Sequence, residues 1–220
     1  MKKEMRQRLI DIAKKEIIKD DPSHDIFHTL RVLHLAETIS KAEGGDLDVI
    51  IPAALFHDII TYPKHDAMSS KKQDESADKA SDILSKIKEY PKEKIEAVKH
   101  CISSCSFTKQ VKHEKKEAQI LQDADGLEST GAISIMRTFC STGQMNRRFY
   151  HPDDPMCRTR EPDAKEQALD LVFARLLKVK DRMYTQTARD LAMRRAEFLQ
   201  VFLLEINEEL KESHENYNGF

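Results

Sequence analysis

The chain contains nine histidines, and three of them directly precede an aspartate: His24-Asp25, His57-Asp58 and His65-Asp66. A bare His-Asp dipeptide says little, because composition alone yields about one in a chain of this make-up. His57-Asp58 is set apart by context, since it follows the apolar run Ile50-Ile51-Pro52-Ala53-Ala54-Leu55-Phe56. An imidazole and a carboxylate at the end of a buried segment cost free energy unless they find partners. A divalent cation is one such partner: it offsets the carboxylate's desolvation and accepts the imidazole lone pair. The bland alternative is a capping histidine beside an aspartate that faces a loop. Adjacent helical side chains diverge by about 100°, so both reach one ion only if it lies beside the C-terminal turn of the helix.

Two further segments carry matching residue types. His28 lies four before Val32 and seven before Leu35, on a stripe that continues to Ile39. A lone histidine on such a stripe reads as a core residue, but inward-facing residues of neighbouring helices can converge on one point. His24 lies one turn earlier and would face the same way. The segment Gln122-Asp123-Ala124-Asp125-Gly126-Leu127-Glu128 follows Ile120-Leu121 and precedes a helix rich in Ile and Met. Either Asp123 or Asp125 could cap that helix, or be aimed at a cation. Spacing alone does not choose between them.

The elements that must position these groups are helical. Leu9, Ile12, Ala13 and Ile17 mark a first helix over 2–19, ended by Asp20-Asp21-Pro22-Ser23. A second runs over 25–43 and closes at Gly44-Gly45. A third, 48–60, carries Pro52 one turn in, where proline is tolerated near a helix start. A polar loop over 61–72 precedes helices predicted at 73–87, 92–103 and 124–140. The stretch 141–163, with Gly143, Pro152, Pro155 and Pro162, reads as a long ordered loop. Closing helices are predicted at 164–180 and 185–211, on Leu169, Val172, Leu176 and then Leu191, Phe198, Phe202. No useful alternating strand pattern is present. The expectation is a single all-α domain over 1–220, with a metal site built from 24–125 and closing helices over 164–211.

Composition agrees and narrows the function classes. With 40% hydrophobic and 34% charged residues the chain is not of disordered type. Only 6 glycines and 7 prolines leave few turns, which excludes a many-stranded sandwich or barrel. A net charge of −2 gives no case for a nucleic-acid polymer as partner. No apolar run of about 18 residues is present, so no membrane-spanning helix is expected. Met1-Lys2-Lys3-Glu4-Met5-Arg6 has no apolar core behind it and is not a signal peptide. Cys101, Cys105, Cys140 and Cys157 form no CxxC pair, the pattern of a reduced, cytoplasmic chain. The sequence allows a homodimer without requiring one.

The order His28, His57-Asp58, Asp125 resembles the fingerprint of the HD superfamily of metal-dependent phosphohydrolases. The resemblance extends beyond these residues to a bacterial and archaeal branch of HD hydrolases. It includes His24-Asp25-Ile26-Phe27-His28-Thr29-Leu30-Arg31-Val32, Ala53-Ala54-Leu55-Phe56-His57-Asp58-Ile59 and Gln122-Asp123-Ala124-Asp125-Gly126-Leu127. It continues through Gly131-Ala132-Ile133 and Arg137-Thr138-Phe139 to a tail that includes Asp181-Arg182-Met183-Tyr184, so it covers roughly residues 5–210. It implies His28, His57, Asp58 and Asp125 as metal ligands, a compact helical bundle, and a nucleotide as substrate, with a nucleoside triphosphate cleaved to monophosphate and pyrophosphate. Many members of the branch place another acidic residue just after the His-Asp pair. Here Ile59-Ile60-Thr61-Tyr62-Pro63-Lys64 follows, which leaves the general acid or base unassigned.

Two imidazoles and two carboxylates suit one ion of Mn, Fe, Co, Ni or Zn, with Mg also allowed. On a six-coordinate ion they leave about two positions for water and a substrate oxygen. A phosphate needs cationic or N–H partners besides the ion, and the candidates are His24, His100 and Arg137. His100 resembles a position that borders the pocket, or holds a second ion, in some HD proteins. Arg137 reads as either a phosphate contact or half of a structural ion pair. Arg147-Arg148 reads as a solvated face that could touch a nucleotide tail, and Cys101 and Cys105 as buried reduced thiols. Two other readings stand beside hydrolysis: a metal-containing module that binds a nucleotide without turnover, and a di-iron oxygenase, which needs more histidine ligands than His100 supplies.

Overall fold

The computed structural model describes residues 1–17, 25–62, 67–105 and 114–215. Their regular structure is helical, as the sequence predicts. Among the described residues there is no strand, only an isolated parallel bridge between Arg148 and Gln167. No helix among them is long and apolar enough to cross a membrane. The chain divides into two compact units, Met1–Glu128 with Met183–Ala188, and Ser129–Arg182 with Arg189–Phe220.

The first unit holds α1 (Lys3–Glu16), α2 (Ile26–Glu43), α3 (Leu47–Phe56), α4 (Lys72–Ser85), α5 (Ile95–Ser104) and α6 (Lys116–Leu127). Helix α3 lies at its centre and touches α1, α2, α4, α5 and α6. Every residue from Val49 to Phe56 is buried, which is why this helix is apolar on all sides rather than along one stripe. Pro52 lies inside α3 and has no N–H to give the carbonyl of Asp48. The Tyr90 hydroxyl donates to that carbonyl at 2.7 Å. Burial pushes the Tyr90 phenol's pKa up, so the group stays a donor. The helix ends at Phe56, short of the predicted Ile60, so that His57-Asp58 emerges in the turn beyond it.

Helix α6 corrects one expectation. The sequence suggested a helix starting near Ala124, with Asp123 or Asp125 at its cap. Instead α6 begins at Lys116, because the stripe Ile120, Leu121, Ala124, Leu127 runs straight through the aspartates and is buried throughout. The break falls later, at Gly131, whose φ of 85° is a left-handed value that favours glycine.

The second unit holds α7 (Ala132–Met145), α8 (Asp170–Ala174) and most of α9 (Gln186–Glu215). Its core is Leu169, Val172 and Leu176 against Leu199 and Leu203. The predicted helix over 164–180 is not continuous: only 170–174 is α-helical, and 176–182 is a 3₁₀ segment. The backbone N–H groups of Ala168 and Leu169 bond to Arg148 and Phe149 instead of to a preceding helical turn. Buried Asp170 accepts from the Asp163 N–H and pairs with Arg160. Helix α7 extends past Cys140 to Met145, where Asn146 adopts a left-handed φ of 52°. Arg147 is not on a solvated face: its guanidinium donates to Ala164 O, Ser141 Oγ and Thr142 Oγ1. All four cysteines are free, with Cys101 and Cys105 buried as expected.

Tyr90→Phe removes a side-chain donor to the Asp48 carbonyl. We expect a loss of about 1–2 kcal/mol in urea unfolding with an unchanged m-value. An unchanged midpoint would show that water serves that carbonyl equally well.

Candidate metal centre

His28 sits in the first turn of α2. Asp25 caps that helix and accepts from the His28 N–H at 2.9 Å, so this aspartate serves the helix start. The His28 ring is fully buried. Its Nδ1 lies 3.3 Å from Glu128 Oε2, and Arg31 Nε donates to the same oxygen at 2.8 Å. Burial pushes the Glu128 carboxyl's pKa up, but the hydrogen bonds from His28 and Arg31 outweigh it and hold the group below the usual carboxylate range. An ionised Glu128 only accepts, so the neutral His28 ring carries its proton on Nδ1 and keeps the Nε2 lone pair.

His57 arrives at the same state by a shorter route. Its Nδ1 lies 2.8 Å from the Ala54 carbonyl, one turn back along α3. A carbonyl cannot donate, so in the neutral ring Nδ1 carries the proton and Nε2 presents a lone pair. This buried Nε2 has no hydrogen-bond partner among the described residues. The two rings meet edge-on, with centroids 5.5 Å apart.

Two carboxylates face these nitrogens. Asp58 Oδ2 lies 3.9 Å from His28 Nε2, and Asp58 Oδ1 lies 3.8 Å from His57 Nε2. Asp125 Oδ1 lies 3.6 Å from His28 Nε2 and 3.8 Å from His57 Nε2. These separations exceed hydrogen-bonding range. They match donors that share an ion: bonds of about 2.1 Å set neighbouring donors about 3 Å apart and opposite donors about 4 Å apart. His28, His57 and Asp125 offer ligand atoms that all lie within 4.8 Å of one another. The donor set, two neutral imidazoles plus carboxylates in a largely buried place, fits a divalent cation. Asp125 is 29% exposed, against 10% for the Asp58 side chain, so the centre opens to solvent on the Asp125 side.

The structure also separates the two aspartates that spacing could not. Residues two positions apart on a helix are rotated by about 200° around its axis. Asp123 therefore faces away from the histidines. It accepts from Tyr184 N, Thr185 N and Thr185 Oγ1 at 2.7–2.8 Å. Thr185 Oγ1 in turn accepts from Ala188 N and caps α9.

Of the remaining expected residues, His24 lies outside the described residues, as does the Pro63-Lys64-His65-Asp66 segment. His100 is exposed on α5, whose buried face is Ile95, Val98, Cys101 and Ile102, and the cluster forms without it. Arg137 is half-buried on α7, in the second unit. Sequence reasoning missed Glu128, Arg31 and Lys72. Glu128 stood inside the third motif, and Arg31 one turn beyond His28, so both were visible but had no assigned partner. Lys72 closes the polar loop that the sequence predicts over 61–72. It opens α4 instead, and its Nζ lies 2.9 Å from Asp58 Oδ1. The same end of α4 holds the chain beyond Asp58: Ser76 Oγ accepts from Ile60 N, and Glu75 accepts from the Tyr62 hydroxyl.

Comparison with known proteins gives three findings. The family model for the HD domain matches residues 26–130, the stretch from α2 to just past α6 that contains the whole cluster. YpgQ of Bacillus subtilis (strain 168) is 30% identical over 203 residues, 89% of this chain and 89% of that protein. Two crystal structures superpose closely. One is B. subtilis YpgQ in complex with ADP, with TM-score 0.72 and 28% identity over 93% of this chain and 97% of that one. The other is an HD-superfamily hydrolase from Bacillus thuringiensis, with TM-score 0.74 and 30% identity over 96% and 99%.

Glu128→Gln leaves the shape of the site but removes the charge that orients His28. We expect metal affinity to fall about 10–100-fold by calorimetric titration. The pH dependence has a definite sign. A carboxyl depressed below its ordinary value of 4.5 stabilises the fold fully above that value, and the contribution fades as pH falls through the folded one. The melting-temperature advantage of the parent over Glu128→Gln should therefore be full above pH 4.5 and shrink as the pH falls below it. A pH-independent gap would contradict the ionised state assigned to Glu128.

Proposed function

This chain belongs to the HD superfamily, and on that premise we propose that it is a metal-dependent phosphohydrolase acting on a small phosphoester or phosphoanhydride, most specifically a nucleotide. The observation that carries the reading is the convergence of His28, His57, Asp58 and Asp125 from α2, the end of α3 and α6. In this reading those four side chains hold one divalent ion of the Mn, Fe, Co, Ni, Zn or Mg group. When bound, such an ion supplies an acidified water and neutralises charge on phosphoryl oxygens.

The chain's own residues account for the rest. Glu128 and the Ala54 carbonyl fix the two imidazole tautomers, so that in each neutral ring Nε2 is the nitrogen left to act as a ligand. The burial of His28 and His57 keeps competing water off one side of the centre. The exposed edge of Asp125 marks the side from which a phosphorylated ligand approaches. Hydrolysis forms one P–O bond from water and breaks the bond to the leaving oxygen. The crystal structure of B. subtilis YpgQ in complex with ADP supports a nucleotide as ligand. The reaction we favour is cleavage of a nucleoside triphosphate to the monophosphate and pyrophosphate.

The test is release of phosphate and pyrophosphate from a nucleotide panel with Mn²⁺. We expect turnover that chelation abolishes and Mn²⁺ restores. Asp58→Ala should lower it about a thousandfold, the scale of losing several kcal/mol of transition-state stabilisation. Equal turnover by Asp58→Ala would remove the role assigned to that carboxylate. Nucleotide-dependent stabilisation against heat, with no product after long incubation, would assign a binding role instead.

A further inference from the structure

Lys72 is the first residue of α4, where the positive end of the helix dipole disfavours a cation. The next charged residues of that turn, Asp74 and Glu75, follow the usual preference. Lys72 reaches away from the helix to Asp58 Oδ1, and the two side chains are only 18% and 10% exposed. Other lysine pairs of this unit lie farther out, as in Lys79–Glu16 at 33% and 42% and Lys99–Asp78 at 41% and 66%. A secluded ammonium against a carboxylate that also faces the cluster is therefore a feature of the site.

The charges around the centre say what this lysine does. Among the described residues, and with the histidines neutral, the carboxylates of Asp58, Asp125 and Glu128 face the cations Lys72 and Arg31, which leaves one negative charge in excess. A divalent ion changes this to one positive charge in excess. Arg31 is engaged with Glu128, behind His28. The surplus therefore belongs to the ion and Lys72, and without Lys72 the loaded site is neutral. An ammonium has three N–H donors, and Asp58 Oδ1 takes one of them. We propose that Lys72 is the phosphoryl-binding residue of this centre: it steadies Asp58 and donates to an oxygen of the substrate's phosphoryl group beside the ion. This rests on the reading of the centre as a metal-dependent phosphohydrolase site.

The experiment titrates Mn²⁺ into the full chain by calorimetry, then titrates Mn²⁺·ADP into the Mn²⁺-saturated protein. Parent, Lys72→Met and Lys72→Arg are compared, with circular dichroism as the check on folding. Lys72→Met should keep its Mn²⁺ affinity within about threefold, because the ion neutralises Asp58 directly, and bind ADP at least about tenfold more weakly. Lys72→Arg should recover most of the ADP affinity, since it restores the cation. Unchanged ADP affinity in Lys72→Met overturns the proposal and leaves the functional reading standing. A fall in Mn²⁺ affinity of more than about tenfold, with ADP affinity of the saturated protein unchanged, assigns Lys72 to propping Asp58 alone and also overturns it. A parent protein that binds no Mn²⁺, or no ADP once loaded, overturns both.

Discussion

The site depends on the fixing of two protons. Each buried imidazole has a neighbour that can only accept, the Ala54 carbonyl for His57 and the ionised Glu128 for His28. Each ring is thereby committed to one tautomer, and both Nε2 atoms face one small volume beside two carboxylates. A ring free to take either tautomer would split its population between a form that can bind a cation and one that cannot. Local structure removes that choice before any ligand arrives.

Much of the first unit can be understood as support for that arrangement. Asp25 sets where α2 begins and so places His28 in its first turn. The all-apolar α3 drives itself into the centre of the unit and stops at Phe56, so the next two residues leave from a buried position. Pro52 weakens α3 internally, and Tyr90 serves the carbonyl it leaves without its usual donor. Helix α6 carries two aspartates on opposite faces. One is buried and caps the turn that leads into α9, and the other faces the histidines.

The helical class and the candidate segments are legible in the sequence because those signals are local, while the set of four candidate ligands follows from the resemblance to the HD superfamily. His28 lies on an apolar stripe, His57-Asp58 ends an apolar run, and an aspartate motif follows Ile120-Leu121. The choice of Asp125 over Asp123 could not be made from spacing, since it depends on which face of α6 meets α2 and α3. The aspartates around Ala124 carry a capping signal, but the apolar stripe continues through them and starts α6 at Lys116. The predicted helix over 164–180 failed for a non-local reason: Ala168 and Leu169 give their N–H groups to residues about twenty positions earlier. Glu128, Arg31 and Lys72 were unremarkable as residue types, and their roles come only from partners distant in sequence.

Two histidine nitrogens of this chain are proposed to bind one divalent ion. Pulsed electron paramagnetic resonance on the Mn²⁺-loaded protein reads this directly through nitrogen couplings. We expect two coordinated imidazole nitrogens per Mn²⁺, with one lost in His28→Gln and one in His57→Gln. A spectrum with water proton couplings alone, unaffected by either substitution, would contradict it.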